Sequence, residues 1–294
     1  MVLALMLRLL VAVGGHRQAA AVAYRSRARR LALDGRGRIR RWGVWFDLNL
    51  NDNVQRTFYY TGWYERPFLK FLRDELQADD TYIDVGAHIG IDAAFVANVA
   101  PAGTVVAFEP VPDTVSLLRN SVGRLDNVEV VPAALGDCAG TLTLRANPKW
   151  HLEDAATRSQ FGEGSPVCEA QLVRFDDWAT RLTRMDVVKI DVEGGELGVF
   201  QGAERTLRNY RPHIVFEHGL GAADWYQTRP DDVFDALERC GLHVSPLDDW
   251  LAHGGEAAQL SRSAFRDRFD NGIDYYFLAH PPPRRRAASR ECPA

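Results

Sequence analysis

The chain has 294 residues and a formal net charge of −4, with 46% hydrophobic and 25% charged residues. That is ordinary globular usage, which excludes collagen-like, low-complexity and wholly disordered classes and leaves enough chain for a sizeable core. No uncharged apolar run reaches the roughly 18 residues of a membrane span, and the mild acidity argues against a dedicated nucleic-acid binder.

The balance hides an asymmetry. Residues 1–41 hold ten arginines and one acid, Asp34, so the remaining 253 residues carry a formal −13. The opening MVLALMLRLLVAVGG is a poor signal peptide, because Arg8 interrupts it and no basic region precedes it. Two readings stay open for this basic N-terminal segment. One is an amphipathic helix making peripheral contact with the inner face of a membrane. The other is a helix docked on the body of the protein, or a poorly ordered start. The cysteines Cys138, Cys168, Cys240 and Cys292 form no C-x-x-C pair and no zinc spacing. A reducing cytoplasm is therefore the expected compartment.

Residues 42–79 read as a lead-in, strand-like at first and helical from about Glu65, with Pro67 in the first turn. Residues 80–280 then alternate between strands and helices. TYIDV is a strand, Ile89 to Ala100 a helix, TVVAFEP a strand, DTVSLLRNSVGRL a helix and NVEVVPAAL a third strand. TLTLRA and EAQLVRF are shorter strands, and MDVVKIDVEG is a fourth long one. GELGVFQGAERTLRNY is a helix, PHIVFEHG a strand, DDVFDALERCG a helix, and LHVSPL and IDYYFLAH close the domain as strands. This alternation predicts an α/β fold with a mostly parallel sheet covered on both faces. Residues 281–294 read as a disordered Pro/Arg-rich tail.

The most informative stretch is Ile83-Asp84-Val85-Gly86-Ala87-His88-Ile89-Gly90, a strand end leading into a helix. Ligands bind at the carboxyl ends of such strands. A dinucleotide fingerprint would need glycine where His88 and Ile91 stand, so a pyrophosphate is disfavoured. S-adenosylmethionine needs no such approach. Its carboxylate suits the backbone N–H groups of the loop, and its sulfonium and ammonium suit Asp84. Glu109, nineteen residues after Gly90, ends the second strand where a carboxylate accepts from two ribose hydroxyls. Asp137, after the third strand, is placed to meet an adenine amine.

Lys189-Ile190-Asp191-Val192-Glu193-Gly194-Gly195-Glu196 is the second motif. Continued strand alternation would put Lys189, Asp191 and Glu193 on one side. Ionisable groups at the exit of a buried strand are costly without a purpose. Methyl transfer to a hydroxyl needs alignment and removal of a proton. Asp191 is the leading residue for acceptor positioning or base, with Glu193 beside it and His218 the best-placed histidine. Glu196 reads as N-terminal helix charge. A divalent metal on Asp191 and Glu193 is conceivable chemistry but is not predicted. Trp225, Tyr226, Trp250 and Phe265 either line an acceptor pocket or cover the sheet.

FYYTGWYE, IDVGAHIG, FEPVPD, PAALGD, VVKIDVEGGELGVFQGA, HIVFEHG and DYYFLA together resemble the FkbM family of S-adenosylmethionine-dependent methyltransferases over roughly residues 55–280. The resemblance implies a Rossmann-like class I methyltransferase fold of seven strands with the last antiparallel. It also implies O-methylation of a sugar, glycan or secondary metabolite. It assigns Asp84, Gly86, Gly90 and Glu109 to the cofactor, and Asp191 and Glu193 to the acceptor side. His88 stands where the family commonly has Asn, and Ile91-Asp92 replace an aromatic-hydroxyl pair. The rival readings are a non-catalytic scaffold on the same fold and a nicotinamide oxidoreductase.

Overall fold

The computed structural model describes residues 35–146, 152–154, 167–254 and 257–282. The membrane-contact and tail readings therefore fall largely outside the described residues. No helix among them is long and apolar enough to cross a membrane.

A β-hairpin comes first. β1 (Arg36–Arg41) and β2 (Val44–Asn49) pair antiparallel around Trp42 and Gly43, both at positive φ. The boundary drawn between residues 41 and 42 falls in this turn. Helix Asn53–Thr61, unforeseen in the lead-in, is capped by Asp52, whose carboxylate accepts from Gln55 N at 2.8 Å. Helix Arg66–Glu75 follows, with Pro67 in its first turn as expected. Phe46 meets Phe58 edge to face at 5.0 Å, joining the hairpin to its helix.

The main sheet is built from β3 (Thr81–Val85), β4 (Thr104–Phe108), β5 (Val128–Val131), β10 (Val187–Ile190), β11 (His213–Glu217), β12 (His243–Pro246) and β13 (Tyr276–His280). Their order across the sheet is β12-β13-β11-β10-β3-β4-β5, seven strands with only β13 antiparallel to its neighbours. This is the Rossmann-like class I methyltransferase arrangement. β3 starts the sheet in its interior, beside the central β10, and the chain leaves it first to one side and later to the other. The switch point lies between β3 and β10.

Period-two alternation divides the strand residues between two cores. Tyr82, Val105, Ala107, Val187, Val215 and Leu278 join helices Ile91–Val99 and Pro112–Val122 on one face. Ile83, Val106, Val188, Ile214, Phe216 and Phe277 meet the helices at Glu196–Gly202, Glu204–Tyr210 and Pro230–Arg239 on the other. Each fully buried aliphatic or phenyl side chain contributes roughly 1.5–3 kcal/mol. Trp250 and Phe265 belong to these cores, so their sheet-covering reading holds.

Two expected elements divide. The third strand stops at Val131, and after Pro132 the chain enters a second sheet at β6 (Ala134–Gly136). That sheet also holds β7 (Gly140–Ala146), β8 (Leu152–Asp154) and β9 (Val167–Arg174), in the order β6-β9-β7-β8. Proline cannot donate to a ladder, so it marks the break. The helix after β10 divides at Ala203. There the chain must pass Gly136, and a Cβ on Gly202 would lie 1.8 Å from the Gly136 carbonyl oxygen.

Candidate active site

A cleft of about 960 Å³ runs across the carboxyl ends of β5, β4, β3, β10 and β11. Its wall carries Val85 to His88 from the glycine loop and Phe108 to Val111 from the end of β4. Ala133 to Asp137 come from the chain after β5, and Asp191 to Gly195 from the loop after β10. Tyr64 and Glu65 of the lead-in, Glu217 of β11 and Tyr276 of β13 close the far end. Asn49 and Asp52 bring the hairpin to its rim.

On the β4 side, Glu109 is held by two backbone donors. Its Oε2 accepts from His88 N at 2.9 Å and its Oε1 from Val111 N at 3.0 Å. These bonds fix the carboxylate at the end of the second strand. Asp137 lies exposed at the same end of the cleft.

The glycine loop is organised from inside. Gly86 N and Ala87 N both donate to Phe108 O, at 3.0 and 2.9 Å, and Gly90 N donates to Ala87 O at 2.9 Å. These N–H groups, with that of His88, serve the protein itself, which corrects the expectation that they wait for a ligand carboxylate. Gly86, at φ 89, lets the loop approach the neighbouring motif, since a Cβ there would sit 2.0 Å from Asp191 O. His88, at φ 51, occupies the left-handed region. Asn and His enter that region more readily than most residues, so the turn accommodates His88.

Three expected site residues stand off the cleft wall. Gly90, at φ 85, makes room for Leu118, whose Cδ1 would lie 2.7 Å from a Cβ at that position. Asp84 is fully buried in β3, and neither carboxyl oxygen has a hydrogen-bond partner. Alternation turns it onto the face shared with Lys189, its register partner in β10. Burial pushes its carboxyl well above the usual range, against the pull of Lys189. His218 is turned to the opposite face, with Phe216. Its ring stacks on Phe265 at 5.6 Å and on Phe269 at 4.7 Å, and burial lowers its pKa to about 4.

The acceptor end is a carboxylate cluster around one lysine. β10 ends at Ile190 and Glu193 turns to φ 58, so strand alternation does not carry through the motif. Lys189, Asp191 and Glu193 nevertheless all line the cleft. Lys189 Nζ lies 2.9 Å from Asp92 Oδ2, 3.3 Å from Asp191 Oδ2 and 3.5 Å from Glu65 Oε2. Glu217 hydrogen-bonds to Asp191, and its carboxyl is pushed up to about 10, first by burial and then by the Asp191 charge. Glu217 is therefore the protonated partner of this pair at neutral pH. Glu196, buried, accepts from Gly194 N at 3.0 Å and Val192 N at 3.2 Å and ties the loop together.

Glu65, Asp92, Glu217 and Tyr276 are functional candidates that the sequence reading passed over. For Glu217 a signal existed. It shares the alternation parity of Val215, which packs on the Lys189 face, whereas His218 shares that of Phe216. Tyr226 lines the cleft, whereas the side chain of Trp225 lies outside the described residues. No group of three or more potential metal ligands occurs among the described residues.

Residues 84–244 match the methyltransferase FkbM domain. The hexuronic acid methyltransferase AglP of Haloferax volcanii is 30% identical over 160 residues, covering 52% of this chain and 62% of that protein. The 2-O-methyltransferase NoeI of Sinorhizobium fredii is 26% identical over 152 residues, covering 45% of this chain and 61% of that protein. The alignments thus span about three-fifths of the length of these two relatives. A crystal structure of methyltransferase FkbM from Methylobacillus flagellatus aligns with 76% of this chain and 52% of its own, at 14% identity and a TM-score of 0.43.

Proposed function

The chain belongs to the methyltransferase FkbM family, and from that membership we propose that it transfers a methyl group from S-adenosylmethionine to a hydroxyl of a sugar, glycan or related small molecule. One observation carries the reading. A single cleft at the switch point joins a locked carboxylate, Glu109, on the β4 side to the Asp191–Glu217 pair on the β11 side.

The residues fit that cofactor. Nine carboxyl groups and one lysine line the cleft among the described residues. Such a field attracts a ligand of net positive charge and repels a pyrophosphate. Bound S-adenosylmethionine would supply an electrophilic methyl carbon. Glu109 would accept the ribose hydroxyls, and Asp137 would meet the adenine amine. The glycine loop would shape the wall against the methionine part. Asp191, steadied by Lys189 and Glu217, would accept a hydrogen bond from a neighbouring hydroxyl of the acceptor and so align the reacting oxygen for in-line attack. The two relatives, a hexuronic acid methyltransferase and a 2-O-methyltransferase, support a sugar hydroxyl as acceptor.

The test is transfer of a tritiated methyl group to a panel of methyl glycosides, uronic acids among them, read by product mass. Wild-type chain is expected to label at least one hydroxyl compound. Asp191→Ala is expected to lower turnover about 100-fold, the scale of lost alignment, and to leave cofactor binding unchanged. Full turnover by Asp191→Ala would remove the positioning role.

A further inference from the structure

We propose that Glu65 is the general base of the transfer, its Oε2 taking the proton of the acceptor hydroxyl. The inference rests on the methyl-transfer reading and adds a catalytic residue from outside the matched segment 84–244.

Four observations converge on this carboxylate. It lines the cleft although its side chain is only 10% exposed. Its Oε1 accepts from Tyr276 Oη at 2.7 Å, while its buried Oε2 has no hydrogen-bond partner and faces Lys189 Nζ at 3.5 Å. Its backbone sits at φ 46, in a region costly for any residue with a Cβ. It also occupies the N-cap of helix Arg66–Glu75 yet makes no capping hydrogen bond. Ser, Thr, Asp or Asn ordinarily fill that position and cap the helix, a role the longer Glu side chain does not take here. Here the strained turn spends the side chain on the cleft instead.

The other acids at this end are committed. Asp191 holds Lys189 at 3.3 Å and the hydrogen bond from Glu217. Glu217 keeps its proton at neutral pH and acts as a donor. Asp92 is bonded to Lys189 at 2.9 Å, and His218 faces the opposite core. Glu65 lies between these extremes. Burial pushes it up to about 7, with Asp191 and Asp92 adding to the rise and Lys189 and the Tyr276 hydroxyl opposing it. Tyr82 and Asp84 of β3 also feel its charge, as does Tyr64 beside it. A base is most effective when its pKa lies near the working pH.

The step balances. The acceptor O–H bond breaks and its proton passes to Glu65 Oε2 as the oxygen forms the new C–O bond. The methyl–sulfur bond breaks with its electron pair left on sulfur. Glu65 returns the proton to solvent after product leaves.

The test uses Glu65→Gln, which keeps the shape and the contact with Tyr276 but accepts no proton. The assay is methylation of whichever methyl glycoside the wild type labels fastest. Wild-type kcat should rise through about pH 7, and Glu65→Gln should lose that limb and fall by about 10²–10⁴-fold, with S-adenosylmethionine affinity retained. Tyr276→Phe removes a bond that favours the ionised form, so it should move the limb to higher pH. In a chain carrying ¹³C-labelled Glu carboxyls, the buried Glu65 and Glu196 should both titrate near pH 7, and one of these two resonances should vanish in Glu65→Gln, with or without an acceptor. Retained kcat, an unmoved limb in Glu65→Gln, or no such lost resonance would overturn the assignment. Failure of the wild type to bind S-adenosylmethionine would instead strike the methyl-transfer reading itself.

Discussion

Gly86→Ala is expected to destabilise the chain severely and to abolish cofactor binding. The position sits at φ 89, and a Cβ there would lie 2.0 Å from Asp191 O. The backbone conformation alone costs a residue with a Cβ about 1–3 kcal/mol. Overpacking adds roughly 1–3 kcal/mol. In a chain of this size the melting temperature should fall by on the order of 10 °C. The Cβ is fixed by the backbone and meets a backbone carbonyl, so no side chain can swing away to relieve it. Asp191 N also donates to Val85 O at 3.0 Å, so pushing the strands apart disturbs both halves of the cleft together. Thermal unfolding and cofactor titration of the variant test this. A melting temperature within a degree or two of wild type, with binding intact, would mean the two motifs do not depend on this approach.

Lys189→Met is expected to be the second large loss, and its size should depend on pH. Lys189 is 7% exposed and faces Asp92, Asp191 and Glu65 within 3.5 Å. Breaking a buried pair by removing one partner costs about 3–5 kcal/mol, because the remaining charges are uncompensated. These neighbours raise the ammonium pKa well above its ordinary value despite the opposing effect of burial. A group raised in the folded state contributes stability that is fully present below its unfolded pKa and lost only as pH rises through the folded one. For Lys189 that loss begins in the alkaline range, so the ammonium stays charged through neutral and acidic solutions and any pH dependence there comes from its carboxylate partners. In Lys189→Met the deficit should shrink as pH falls, because the stranded carboxylates take up protons that the unfolded chain does not yet bind. Denaturant unfolding of both chains at pH 5.5 and pH 8 measures it. A deficit equal at both pH values would contradict an electrostatic origin.

The sheet was legible because its strands carry short apolar runs between helices of helical period. Thr81–Val85 is a strand over the same residues as the TYIDV reading, and the parallel arrangement followed from the alternation. The break at Pro132 and the second sheet were not, since NVEVVPAAL is apolar on both sides of the proline. Of the site, the residues that announce themselves by motif, Gly86, Glu109, Asp191 and Glu193, came together in one cleft. Asp84 and Gly90 announce themselves equally well, but strand parity and helix packing turn them to other duties. His218 attracted attention by residue type, whereas the parity of β11 sends Glu217, one place earlier, to the cleft. Glu65 was hidden for a different reason. Its approach to Lys189 depends on a left-handed turn at a non-glycine residue and on a contact with Tyr276 from the last strand, neither of which leaves a local pattern.

The most direct test of the account is calorimetric titration of the purified chain with S-adenosylmethionine, S-adenosylhomocysteine and NADH. The account predicts that both adenosyl ligands bind, that the positively charged S-adenosylmethionine binds more tightly in this acidic cleft, and that NADH does not bind. Binding of NADH without either adenosyl ligand would contradict it.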